Sequence, residues 1–107
     1  MINAILLTVD GNSEPITIDN GCKPLQDLVG EYIEAVSCAD GQVTLWCNEE
    51  GKLFGLPINK LATALWWSLK PAMRGLDILC GPVVVTGGPD ENGDTLSVPA
   101  FLRVGNA

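Results

Sequence analysis

Apolar positions along the chain fall in short blocks, and their period changes from block to block. Ile2 to Val9 is apolar and β-rich and runs into the turn signal Asp10-Gly11-Asn12. Glu14-Pro15-Ile16-Thr17-Ile18 follows as a short partner strand, and Pro15 costs it no ladder bond if the strand lies at an edge. After Asn20-Gly21 the period lengthens. Leu25, Leu28 and Val29 give one apolar face to a helix over Lys23–Val29, with Pro24 in its first turn and Gly30 as its stop. Glu31 to Ser37 and Val43 to Cys47 return to strand character around the loop Ala39-Asp40-Gly41-Gln42. In the second of these, Val43, Leu45 and Cys47 share one face, and Thr44 and Trp46 the other.

A polar turn, Asn48 to Lys52, separates this hairpin from a second helix. Asn59 or a neighbour caps that helix, which runs from Leu61 to Trp67 and ends at Pro71. Leu61, Ala64, Leu65 and Ser68 mark its expected buried stripe. The most apolar run, Ile78 to Val85, is bent at Gly81-Pro82, and Thr95 to Val98 is expected to pair back with Val83 to Val85. The tail from Phe101 to Ala107 reads as a last edge strand or a loosely ordered end. The pattern β-β-α-β-β-α-β-β predicts an α+β fold: a single antiparallel sheet of about five to six strands with two short helices on one face. The 107 residues fit one domain, 1–107.

Composition narrows the chemistry. There is no histidine, so no Ser-His or Cys-His nucleophile pair can form. Six Lys plus Arg against thirteen Asp plus Glu give a net charge of −7, which argues against direct nucleic-acid binding and against membrane-surface attachment. The charge is uneven: residues 1–50 hold nine acids and one base, and residues 51–107 hold four acids and five bases. An acidic half can steer toward a basic partner, or serve solubility alone. Cys22, Cys38, Cys47 and Cys80 include no Cys-x-x-Cys pair, so no zinc site is expected. Cys47 and Cys80 sit in apolar runs and read as small core residues. No apolar run reaches the ~18 residues of a membrane helix, and the start lacks the marks of a signal peptide. A cytoplasmic protein with reduced thiols is expected.

Three local patterns fail as sites. Asp90-Glu91-Asn92-Gly93-Asp94 begins like a calcium loop, but Thr95 stands where glycine is needed and Phe101 where the closing carboxylate belongs. Its Asn92-Gly93 reads as a tight turn. Glu49-Glu50 beside Lys52 lies on a polar turn whose carboxylates share one solvated environment, unlike a catalytic pair. Gly51-Lys52 lacks the preceding glycine of a phosphate loop, and Leu53 replaces its Ser or Thr. No cofactor, metal or catalytic residue is expected, and the chain reads as a non-enzyme.

Trp66-Trp67 is more informative. Helix neighbours point about 100° apart, so a narrow stripe cannot bury both indoles. One is expected at the margin, near Leu69, Pro71 and Met73, where an interface and self-burial fit equally.

Tyr32-Ile33-Glu34-x-Val36, then Asn48-Glu49-Glu50-Gly51-Lys52-Leu53-x-Gly55-Leu56-Pro57-x-Asn59-x-x-Ala62-Thr63, then Asp77-x-Leu79-x-Gly81 with Val84-Val85-x-Gly87 form a recognisable combination. It resembles a small domain-of-unknown-function family of phages and mobile elements, especially those of actinobacteria. The resemblance covers nearly the whole chain; Trp66-Trp67 and the four cysteines depart from it. It implies a small accessory protein and carries no catalytic residues across.

Two expectations follow. In the first, a non-catalytic protein binds a basic surface of a host protein through Glu31, Glu34, Glu49 and Glu50, with Trp66 or Trp67 as apolar anchor. In the second, a nucleotide or other small molecule is sequestered by Asn48, Lys52, Asn59, Lys60 and Thr63, with Lys52 and Lys60 meeting phosphate. The sequence is compatible with a homo-oligomer in either case.

Overall fold

Two hairpins and one late strand make the sheet. In the computed structural model, which describes residues 1–103 and only the backbone of Arg103, β1 (Ile2–Leu7) and β2 (Ser13–Ile18) pair antiparallel with Ile5 opposite Pro15. Helix α1 (Cys22–Val29) follows, and then β3 (Ile33–Cys38) pairs with β4 (Val43–Asn48), placing Ala35 opposite Trp46. After α2 (Lys60–Leu69) and a 3-10 turn, η1 (Pro71–Met73), strand β5 (Val83–Gly87) enters between the hairpins. The sheet order is β2-β1-β5-β4-β3, antiparallel throughout, and a short helix α3 (Ala100–Arg103) follows β5. Among the described residues this is one open five-stranded sheet with three helices, an α+β fold.

The helices lie on opposite faces, not on one. Leu25 and Val29 of α1 pack with Ala4 and Val84, whereas Ala62 and Trp66 of α2 pack with Ile5, Leu45, Val83 and Val85. Val83, Val84 and Val85 point alternately to the two sides, and all three are fully buried. A strand covered on both faces reads as a continuous apolar run, and Val83-Val84-Val85 is that run.

The expected strand at Thr95–Val98 is also corrected. Both edges of Val83–Val85 are taken, by β1 and by β4, so no ladder position is left there. Instead this segment makes scattered bonds, Val98 N donating to the Asn3 carbonyl and Leu96 N to the Gly88 carbonyl. Of the tail, Phe101 to Arg103 belongs to α3, and the rest lies outside the described residues.

In α2 the buried stripe is shifted from the expected one. Ala62, Thr63 and Trp66 are buried, while Ala64 and Ser68 are exposed. The reason lies at the start of the helix: the Asn59 side chain accepts from Ala62 N at 2.9 Å, and the direction of this buried cap sets which face meets the sheet.

Candidate functional site

The stretch from Asn48 to Thr63 is held by polar side chains that tie distant segments together. Asn48 Nδ2 donates to the Val29 carbonyl at 3.1 Å, and its Oδ1 accepts from Glu50 N at 2.8 Å. The first bond joins the turn to the end of α1; the second shapes the turn itself. Asn59 is fully buried. Its Nδ2 donates to the carbonyls of Leu7 and Gly81, both at 3.0 Å. Thr63 Oγ1 accepts from Leu79 N at 3.0 Å and lies 3.4 Å from the Leu79 carbonyl, to which it donates.

These contacts bring the 49–56 loop beside the segment at Asp77–Cys80. Asp77 is the junction: its carboxylate pairs with Lys52 and accepts from Ile78 N, and its carbonyl accepts from Trp67 Nε1 at 2.9 Å. The hydrogen bond from Lys52, aided by that from Ile78, holds the Asp77 carboxyl below its usual range.

Between the two segments lies a cleft of about 70 Å³, bordered by Glu34, Cys47, Lys52, Trp66 and Asp77. That is room for a few waters and well short of the roughly 300 Å³ at which ligand pockets begin. The Trp66 indole nitrogen is buried without a hydrogen-bond partner. Cys47 Sγ lies 3.8 Å from a Glu34 carboxylate oxygen. Burial first, and Glu34 second, push the thiol up to about 12, so it stays protonated and is no nucleophile near neutral pH. Among the described residues no group of three or more His, Cys, Asp or Glu could hold a metal ion. Among the described residues no helix is long and apolar enough to cross a membrane.

Exposed apolar side chains lie on or next to the two segments that border the cleft. Leu53 is 80% exposed, Phe54 67% and Leu76 74%. Leu53 adjoins Lys52 and Leu76 adjoins Asp77, the two partners of the ion pair at the cleft. Glu34 and Glu49 stand exposed at the same cleft. Apolar side chains rimmed by charge are a usual mark of a docking surface.

The structure sorts the residues singled out from sequence. Glu34, Glu49, Asn48 and Lys52 are brought together at the cleft; Glu31 is exposed just before β3, and Glu50 is half-buried in the turn. Trp66 is in the core and Trp67 is half-buried with its N–H engaged, so neither is an exposed anchor. Asn59 and Thr63 spend their hydrogen bonds inside the protein, and Lys60 stands exposed apart from the cleft. Sequence reasoning missed Leu53, Phe54 and Leu76. The available signal was two large apolar residues between Gly51 and Gly55, inside an otherwise polar turn.

No curated protein and no solved structure matches the chain. Residues 2–104 match the model of a family described as a domain of unknown function (DUF3846). That span includes both hairpins, all five strands and the whole cleft-forming segment, and the chain belongs to the DUF3846 family.

Proposed function

We propose that the chain is a small non-catalytic accessory protein of a phage or mobile element, working in the host cytoplasm by docking on a basic surface of a host protein. The observation that carries this reading is the exposure of Leu53, Phe54 and Leu76, each within two residues of Lys52 or Asp77 in the chain, with Glu34 and Glu49 exposed at the same cleft. Apolar groups supply the area buried on association, and the acids supply orientation and rate. Charge segregation adds support. Among the described residues Lys23 and Lys52 are paired with Asp27 and Asp77, while Lys60, Lys70 and Arg74 all lie on the α2–η1 segment. Among the residues that line the cleft, Glu34, Glu49 and Asp77 outnumber Lys52, so a partner docking there meets negative charge.

The small-molecule reading has weaker support. Of its two proposed phosphate contacts, Lys52 is already paired with Asp77, and Lys60 lies apart from the cleft. A thermal-shift screen against nucleotides tests it, since a ligand at 100 times its Kd adds about 2.7 kcal/mol.

The docking reading is tested by capturing partners from an actinobacterial host lysate on immobilised protein. The captured protein is then titrated against wild type and a Leu53→Ser/Phe54→Ser variant. A loss of affinity of about tenfold or more in a variant that melts like wild type is expected, because exposed anchors serve binding and not folding. Equal affinity overturns the reading.

A further inference from the structure

The two edges of the sheet are not alike. At the turn between β1 and β2, Thr8 N donates to the Asn12 carbonyl, which sets the phase of the hairpin. The bonded pairs are therefore Leu6 with Glu14 and Ala4 with Ile16, so Ile5 and Pro15 form a non-bonded pair and the Pro15 nitrogen faces outward. A proline there removes the central donor of that edge, a common way of blocking further strand pairing.

In β3 the phase is set by Glu49 N donating to the Tyr32 carbonyl. Glu34 pairs with Cys47 and Val36 with Leu45 through hydrogen bonds, so the N–H and C=O groups of Ile33, Ala35 and Ser37 face outward. No proline and no lysine interrupts this edge. Beside it, on the α1 face, Ala35, Ser37, Thr44 and Trp46 line a hollow of about 280 Å³ beneath Gly93 and Thr95. A second hollow of about 210 Å³ continues past Trp46 to Asp94. The indole is fixed between them, its Nε1 donating to Thr86 Oγ1 at 2.8 Å.

We infer that β3 is a strand-addition site that takes an extended, basic segment of a partner protein. Backbone bonds to Ile33, Ala35 and Ser37 supply the pairing, and alternate side chains of the added strand enter the hollow over Trp46. The chemistry of the occupant follows from charge. No Lys or Arg occurs between Lys23 and Lys52, a span that holds Asp27, Glu31, Glu34, Asp40, Glu49 and Glu50. A strand added at about 4.8 Å from β3 puts an arginine or lysine side chain within reach of the Trp46 ring, where a cation is favoured. A second copy of the chain is the wrong occupant, because each copy carries a net charge of −7. The inference rests on the docking reading above and adds to it the edge, the conformation and the charge of what binds.

The probe is an alternating Arg-Val peptide, compared with its Glu-Val counterpart and with an Arg-Val peptide interrupted by prolines. The readout is amide hydrogen exchange in the wild-type chain. The Arg-Val peptide is expected to slow exchange at Ile33, Ala35 and Ser37 by about tenfold or more, while the other two peptides leave it unchanged. Ala35→Pro, which deletes an outward donor and no ladder bond, is expected to abolish the effect. Unchanged exchange at saturating peptide, equal protection by Glu-Val, or equal binding by a folded Ala35→Pro variant would each overturn strand addition. A captured partner that binds Ala35→Pro as tightly as wild type but loses affinity for Leu53→Ser/Phe54→Ser overturns strand addition while leaving the docking reading intact. Loss of neither interaction overturns both.

Discussion

Asn59 donates its side-chain amide to the carbonyl of Leu7, 52 positions earlier in the chain, across 3.0 Å of fully buried space. The same amide reaches Gly81, and the side-chain oxygen caps α2. One side chain therefore fixes the start of α2 against the end of β1 and the entry to β5.

Asn59→Ala is expected to destabilise the fold by about 3 kcal/mol, combining the loss of a cap with two stranded carbonyls. Asn59→Asp keeps the cap but sets a carboxylate against those carbonyls, and is expected to cost at least as much. Urea unfolding measures both. A loss for Asn59→Ala below about 1 kcal/mol would show that the bonds to Leu7 and Gly81 carry little stability.

Two glycines separate steric from conformational demand. A Cβ on Gly88 would lie 1.8 Å from the Gly41 carbonyl oxygen, a backbone atom that cannot swing aside. At Gly11 nothing lies within 4 Å, but φ is +91°. Gly88→Ala is expected to cost roughly 3 kcal/mol or to prevent folding, and Gly11→Ala about 1 kcal/mol from backbone strain alone. Thermal melts of the two variants rank them, and the opposite order would contradict the close approach at Gly88.

The thiols are expected to divide in the folded state. Cys22 is exposed, whereas Cys38, Cys47 and Cys80 are buried, so a short iodoacetamide treatment of native protein labels Cys22 alone and denaturant releases the rest. Cys47 also sets an alkaline limit. Its folded value of about 12 stands above the ordinary 9.0, so the folded chain holds this proton longer than the unfolded one. The contribution is complete below pH 9 and is lost as pH rises toward 12. Wild-type stability is expected to fall more steeply than that of Cys47→Ala above pH 9, and parallel curves would contradict the burial of this thiol.

Much of the fold is legible in the sequence. Asp10-Gly11-Asn12 and the loop around Gly41 announce both hairpins, and the alternation from Val43 to Cys47 gives the two faces of β4 correctly. Asn59 as cap and Pro15 on an edge strand also follow from local chemistry. The placement of the helices depends on a partner that is distant in sequence. Val83 to Val85 enters between two hairpins, the later of which ends 35 residues before it, and its uniform apolarity signals covering from both sides only once it is known to be central. The site is less legible for a similar reason. Lys52 and Asp77 are 25 residues apart, and nothing in the sequence announces their pairing or the cleft it borders. Trp66 and Trp67 draw attention as large aromatics, yet the cap at Asn59 turns one into the core and Asp77 engages the other.

The most direct test is the affinity of the captured partner for wild type and for a Glu34→Gln/Glu49→Gln variant, measured from about 50 to about 500 mM sodium chloride. Docking through an acid-rimmed apolar end predicts a wild-type Kd that weakens steeply with salt, and a variant that is weaker at low salt with a shallower slope. A Kd indifferent to both salt and the two carboxylates would contradict it.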